Sequence, residues 1–255
     1  MITQAQITRR AARDGVPART VERDYVMAHI IAGLAALGDG HGMIFKGGTA
    51  LRLCFFQDYR YSADLDFSMI EGTKAAGYDI IEAALREASE VIDTLYLTDR
   101  SPARVAYLGP LGRERSLKLD IADDELVIDT EAQTLLPRWN DLPTDAFVSV
   151  YTLNEIAGEK LRCVMQRLQC RDLFDLSLLF DEGQVDVLDA AEVFMSKAVH
   201  RGIDPDNFAN KYHERVDQYR ERWNQELGEH VPGDVPHFEA LERGVARELR
   251  RANLL

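Results

Sequence analysis

Residues 45–68 read FKGGTALRLCFFQDYRYSADLDFS, and the fold is decided there. The apolar run Met43, Ile44, Phe45 predicts a buried strand that stops at Gly47-Gly48. A short amphipathic segment over 49–56 follows, then a polar turn, then a second strand over 62–68. In that strand Leu65 and Phe67 point to one face while Asp64 and Asp66 point to the other, because successive side chains alternate. Two carboxylates on one strand face repel each other unless something neutralises them. A divalent metal is the usual neutraliser, and an all-oxygen pair suits Mg²⁺. The Gly47-Gly48-Thr49 turn opens a helix, whose free N–H groups and positive dipole end favour an anion. A phosphate cradle followed closely by an Asp-x-Asp is equipment for phosphoryl or nucleotidyl transfer.

Working outward, a third acid fits the same face. In the stretch Leu117-Lys118-Leu119-Asp120-Ile121 the apolar residues share one side and Lys118 and Asp120 the other. Asp123, Asp124 and Glu125 read as a turn beyond it. Thr49 has a second reading as a simple helix cap. Lys160 sits at the edge of the stripe formed by Leu153, Ile156, Leu161, Val164 and Leu168. Its ammonium either snorkels to water or faces a cleft, where it could hold a triphosphate. Asp172 opens a helix over 173–180 and reads either as its cap or as a site acid. Arg60 and Ser62 flank the acidic strand, and phosphate added to Ser62 would obstruct a metal or nucleotide beside it. The six histidines show no ligand spacing, and no Ser-His-Asp or Cys-His arrangement stands out.

The rest of the chain reads as an α/β (α+β) protein with two parts. Helical spacing predicts a loose helix over 1–16, a helix over 21–37 (Val26, Ile30, Ile31, Leu34, Leu37) and another over 78–95. Short β-like runs follow at 105–108, 116–121, 126–128 and 147–151, with a loop over 135–143. Beyond residue 153 the reading is helical: 153–169, 172–180, 187–200, 205–227 and 238–254. The shift in character places a boundary between an α/β domain, 1–152, and a C-terminal helical domain, 153–255.

Composition bounds the class. The chain has 255 residues, 46% hydrophobic and 29% charged, as a folded globular protein does. No run approaches the roughly 18 apolar residues of a membrane span, and no apolar leader segment opens the chain. Cys54, Cys163 and Cys170 lack metal-ligand spacing, and Cys163 and Cys170 are expected to pack on one helix face rather than cross-link. These features predict a cytoplasmic protein. A net charge of −13 argues against coating nucleic acid nonspecifically. Arg9, Arg10, Arg13, Arg162, Arg167, Arg247, Arg250 and Arg251 could still line a local basic groove, or be paired surface charges.

Four blocks, FKGGTALRL, RYSADLDFS, LKLDI and EKLRCVMQRLQCRDLFDL, come in an order that resembles the nucleotidyltransferase AbiEii toxins, including the MenT group. The resemblance spans about residues 45–176. It implies a nucleotidyltransferase of the DNA polymerase β-like superfamily, with a mixed β-sheet, flanking helices and a helical C-terminal part. It further implies that Gly47, Gly48 and Thr49 contact nucleotide phosphates, with Ser62 beside them. Asp64 and Asp66 would hold Mg²⁺ with Asp120 as third carboxylate, Lys160 would bind the triphosphate, and Asp172 would complete the active site. A nucleoside triphosphate is the implied substrate, the tRNA 3′ end the expected RNA acceptor, and a cognate antitoxin the expected partner. Two rival readings stay open: a small-molecule nucleotidyltransferase of the aminoglycoside-modifying sort, and an inactive module that only binds a partner.

Overall fold

The structure, a computed structural model, describes residues 1–181 and 185–255. The chain packs as two compact units. The first comprises Met1–Asp124, Thr130–Val150 and Glu229–Gly233, the second Glu125–Asp129, Tyr151–Gly228 and Asp234–Leu255. No helix of the described residues is long and apolar enough to cross a membrane.

A mixed seven-stranded sheet organises the first unit. Its strands are β1 (Met43–Lys46), β2 (Asp64–Met69), β3 (Thr94–Arg100), β4 (Ala103–Leu108), β5 (Glu114–Ala122), β6 (Thr130–Thr134) and β7 (Phe147–Tyr151), in the order β3-β4-β5-β2-β1-β7-β6. β1 runs antiparallel to β2 and parallel to β7, while β2 runs parallel to β5. Alternation sets the faces: Leu117, Leu119 and Ile121 of β5 are buried and Lys118 and Asp120 are exposed. Phe45 and Phe67 are cross-strand partners with ring centroids 5.4 Å apart, so the apolar side of the central pair is sealed.

Helices α1 (Gln4–Asp14), α2 (Ala18–Ala36) and α4 (Lys74–Ala88) complete this unit, with the one-turn α3 (Gly47–Ala50) running into a π-helical turn at Leu51–Phe55. Of the expected apolar positions of α2, Val26, Ile30, Ile31 and Leu34 are buried, while Leu37 lies just past the helix end and is exposed; α2 packs along α4. Gly33 permits the close crossing, since a Cβ there would fall on the Ala84 carbonyl oxygen. Buried Glu22 accepts from the Leu111 N–H at 2.7 Å and pairs with Arg115 at 3.1 Å, fastening the β4–β5 turn to α2.

Two expectations fail here for the same reason, that non-local bonding outweighs local pattern. The helix expected over 78–95 ends at Ala88, and Thr94–Arg100 is instead an edge strand paired with β4. Thr94, Tyr96 and Thr98 are strand-favouring types, and the sheet offers them partners that a solvent-facing helix end does not. Residues 126–128 form no strand. The N–H groups of Ile128 and Asp129 donate to the Glu155 carboxylate at 3.1 and 3.3 Å, and β6 begins only at Thr130.

The second unit is helical: α5 (Leu153–Gln166), α6 (Cys170–Asp181), α7 (Val187–His200), a short 3₁₀ turn at Pro205–Asn207, α8 (Phe208–Leu227) and α9 (Phe238–Arg251). Thr152 caps α5 by accepting from the Glu155 N–H. Ile156, Leu161 and Val164 are buried, as their spacing predicts. Cys163 and Cys170 are buried free thiols, and burial pushes both up to about 12. They pack and do not cross-link.

Candidate functional site

The acids of the first unit are brought together by register. β2 and β5 pair so that Asp66 lies opposite Asp120 and Asp64 opposite Lys118. β1 adds Lys46 opposite Asp66 on the other side. Cross-strand partners share a face, so Lys46, Asp66 and Asp120 form one row across three strands and Asp64 and Lys118 the next. Lys46 is only 6% exposed, whereas Lys118 and Asp120 reach solvent and sit 3.8 Å apart. The row turns an Asp-x-Asp into a three-acid face.

The turn before α3 is shaped around that face. Gly47 has φ +77°, and a Cβ on it would stand 2.8 Å from Asp66 Oδ2, so glycine is required twice over. A Cβ on Gly48 would stand 2.5 Å from Arg60 Nη2, which places the Arg60 guanidinium against the turn. Arg60 is 3% exposed and donates to the Tyr61 carbonyl at 3.1 Å. Thr49 is fully buried and its hydroxyl donates to the Asp64 carbonyl. It therefore ties the turn to the start of β2, and any phosphate contact there falls to backbone N–H groups. Ser62 is buried two residues before Asp64.

The approach to β2 is held by buried arginines. Arg52 pairs with Asp24, donates to the Tyr59 carbonyl and lies 3.6 Å over the Tyr61 ring. Arg138 donates to the Arg52 carbonyl at 2.7 Å and to the Phe56 carbonyl, and burial pushes it down to about 10. His230 accepts from the Tyr61 N–H at 2.7 Å through its carbonyl. The polar stretch 57–61 is thus immobilised, and Asp64 and Asp66 are aimed by a rigid scaffold.

In the second unit Lys160 is 7% exposed, with its ammonium 2.8 Å from Asp172 and 2.7 Å from Asp175. Asp172 is not a helix cap. It lies in the first turn of α6 and takes a two-pronged contact from Arg167, Nε at 2.8 Å and Nη2 at 3.0 Å. Burial alone would raise the Asp172 carboxyl, but Lys160 and Arg167 outweigh it and hold the group well below the usual carboxylate range. Asp175, in the next turn of α6, is a fully buried partner of Lys160.

The arginines expected to line a basic groove are largely paired within their own units. Arg13 is on Asp14, Arg162 on Glu125, Arg247 on Glu248 and Arg251 on Asp186. Acidic side chains outnumber basic ones, 43 to 30. Lys46 was missed by sequence reasoning. Its signal was present: a lysine ending a buried strand immediately before Gly-Gly.

Does this face suit a divalent cation? The donors are carboxylate oxygens only, the set preferred by Mg²⁺, and register makes Asp66 and Asp120 neighbours. Among the described residues no three acidic, His or Cys side chains converge closely enough to form a ready-made ligand cluster. The donor chemistry fits, and Asp120 is half exposed.

A mixed sheet carrying a Gly-Gly-Thr turn and three acids on one face is the arrangement expected of a nucleotidyltransferase. The profile of the "Nucleotidyl transferase AbiEii toxin, Type IV TA system" family matches residues 29–246, and the chain belongs to that family. It is a nucleotidyltransferase toxin of a type IV toxin–antitoxin system. Among solved structures the chain is similar to MenT4, a nucleotidyltransferase toxin from Mycobacterium tuberculosis H37Rv, with TM-score 0.69 and 18% identity over 100% of this chain and 91% of that one. It also matches an antigenic nucleotidyltransferase-like protein from Paracoccidioides brasiliensis, with TM-score 0.40 and 15% identity over 75% of this chain and 92% of that one. No curated protein matches.

Proposed function

We propose that the protein transfers a nucleoside monophosphate from a triphosphate to an RNA acceptor, the tRNA 3′ end, and so blocks translation in the cytoplasm. The observation that supports this most is the Asp66–Asp120 register with Asp64 on the same face, next to the Gly47–Thr49 turn. In this reading Asp64, Asp66 and Asp120 hold Mg²⁺. The cation supplies charge neutralisation at the phosphates when bound. Backbone N–H groups of Gly47, Gly48 and Thr49 orient the phosphates, with Ser62 behind them. The acceptor oxygen forms the new bond to the α-phosphorus, its proton passes to the exposed Asp120 carboxylate, and the bond to pyrophosphate breaks. Residues 1–152 act as the catalytic core. In the helical part, 153–255, Asp172 and Asp175 fix the Lys160 ammonium; a triphosphate contact by Lys160 and a site role for Asp172 are what the family resemblance implies. A cognate antitoxin is the partner that restrains the activity.

Incubation of each labelled nucleoside triphosphate with total tRNA and Mg²⁺ tests the reading. Label should enter tRNA, and Asp64→Ala should abolish incorporation at an unchanged melting temperature. Label appearing instead on aminoglycosides would replace the RNA acceptor by a small molecule. Growth arrest persisting in cells that express Asp64→Ala would remove chemistry as the cause of toxicity.

A further inference from the structure

The acid face carries more charge organisation than metal binding requires. Each of its rows pairs acids with a lysine: Lys46 beside Asp66 and Asp120, and Lys118 opposite Asp64. Lys118 also stands 3.8 Å from the Asp120 carboxylate, two residues along its own strand. The two lysines differ in setting. Lys46 ends a buried strand and is almost wholly covered, so its side chain is held within the fold. Lys118 is half exposed and can swing away at little cost. Gly47 contributes as well, since its missing Cβ leaves Asp66 room on the side of the Lys46 backbone.

Three carboxylates on adjacent positions of one sheet face repel one another strongly where the dielectric is low. We propose that Lys46 and Lys118 are the site's built-in counter-ions. Lys46 is a permanent positioning residue for Asp66, and Lys118 is a displaceable occupant that yields Asp120 to an arriving divalent cation. The inference rests on the metal-binding reading of Asp64, Asp66 and Asp120. It adds that the metal must compete with two lysines, so affinity is set below what three carboxylates would give.

The test uses Mn²⁺ as the probe, titrated into the full chain without nucleotide and read as free Mn²⁺ by electron paramagnetic resonance. Lys118→Met should bind Mn²⁺ roughly tenfold more tightly than the parent chain, since a competing unit charge is gone. Lys46→Met should also tighten binding and, in chelator, should melt about 5 °C lower, with a larger Mn²⁺-induced recovery than the parent shows. Lys46→Arg and Lys118→Arg should restore parental behaviour. Unchanged or weaker Mn²⁺ binding in both methionine variants would overturn the proposal. If Lys46→Met does not fold, Lys118→Met on the wet side decides it alone. Should the parent chain bind no Mn²⁺, the metal reading fails, and a metal-free cycle still judges the Lys46–Asp66 pairing. Asp66→Asn should then recover the melting temperature lost in Lys46→Met, whereas additive losses would reject the pairing.

Discussion

Lys160 shows how much a residue's partners decide about its chemistry. A lysine at the edge of an apolar stripe has a neutralised ammonium here, gripped by two buried carboxylates. Breaking a buried pair from one side leaves the other side uncompensated. Lys160→Met is expected to cost about 3–5 kcal/mol of unfolding free energy, with Lys160→Arg costing less, as urea denaturation would record. The same cluster fixes a pH dependence. The Asp172 carboxyl is held below its unfolded value, so its pairing stabilises the chain fully above the ordinary carboxylate range of about pH 4. That stability is lost as pH falls from there through the folded value. Unfolding measured between pH 7 and pH 2 should show the decline in the parent chain and a flatter one in Asp172→Asn.

At the scale of elements, two helix crossings depend on glycines. Gly33 of α2 lies against the Ala84 carbonyl of α4, and Gly158 of α5 lies against Val193 of α7. A Cβ at Gly33 would stand 2.3 Å from that carbonyl oxygen, and one at Gly158 would stand 2.4 Å from Val193 Cγ1 and 2.9 Å from the Phe194 backbone nitrogen, so backbone blocks relief at both. Gly33→Ala and Gly158→Ala are each expected to destabilise by about 2–3 kcal/mol in matched denaturation curves. Parental stability of either variant would mean that its crossing shifts freely. Elements also show where pattern reading failed. The spacing of Ile80, Ile81, Leu85, Ala88, Val91 and Ile92 continues past the true end of α4, yet Ile92 is buried as part of the turn into β3. Helical spacing records which residues are buried, not which backbone buries them. Residues 126–128 mislead in the opposite way, because the amide of Ile128, like that of Asp129 after it, is satisfied by a side chain, Glu155, that no local rule would find.

For the whole molecule the acid excess sets the terms of any encounter with RNA. Arg13, Arg162, Arg247 and Arg251 are already paired with carboxylates, which leaves fewer cations for phosphates. Binding of random duplex DNA should be undetectable at 150 mM salt by fluorescence anisotropy, and binding of tRNA should weaken only shallowly with added salt. A steep dependence, with a slope of about −5 or more in log–log form, would reveal a basic surface that the pairings conceal. The acid strand, the Gly-Gly-Thr turn, the alternation around Asp120 and the helical tail were legible from sequence alone, because each is a local pattern whose period matches one backbone geometry. What only the tertiary structure decided is which residues become neighbours: Asp66 with Asp120, Lys46 with Asp66, Lys160 with Asp175. Strand register and helix packing join segments distant along the chain, and they are set by the burial of whole apolar faces, a quantity that no short stretch of sequence contains.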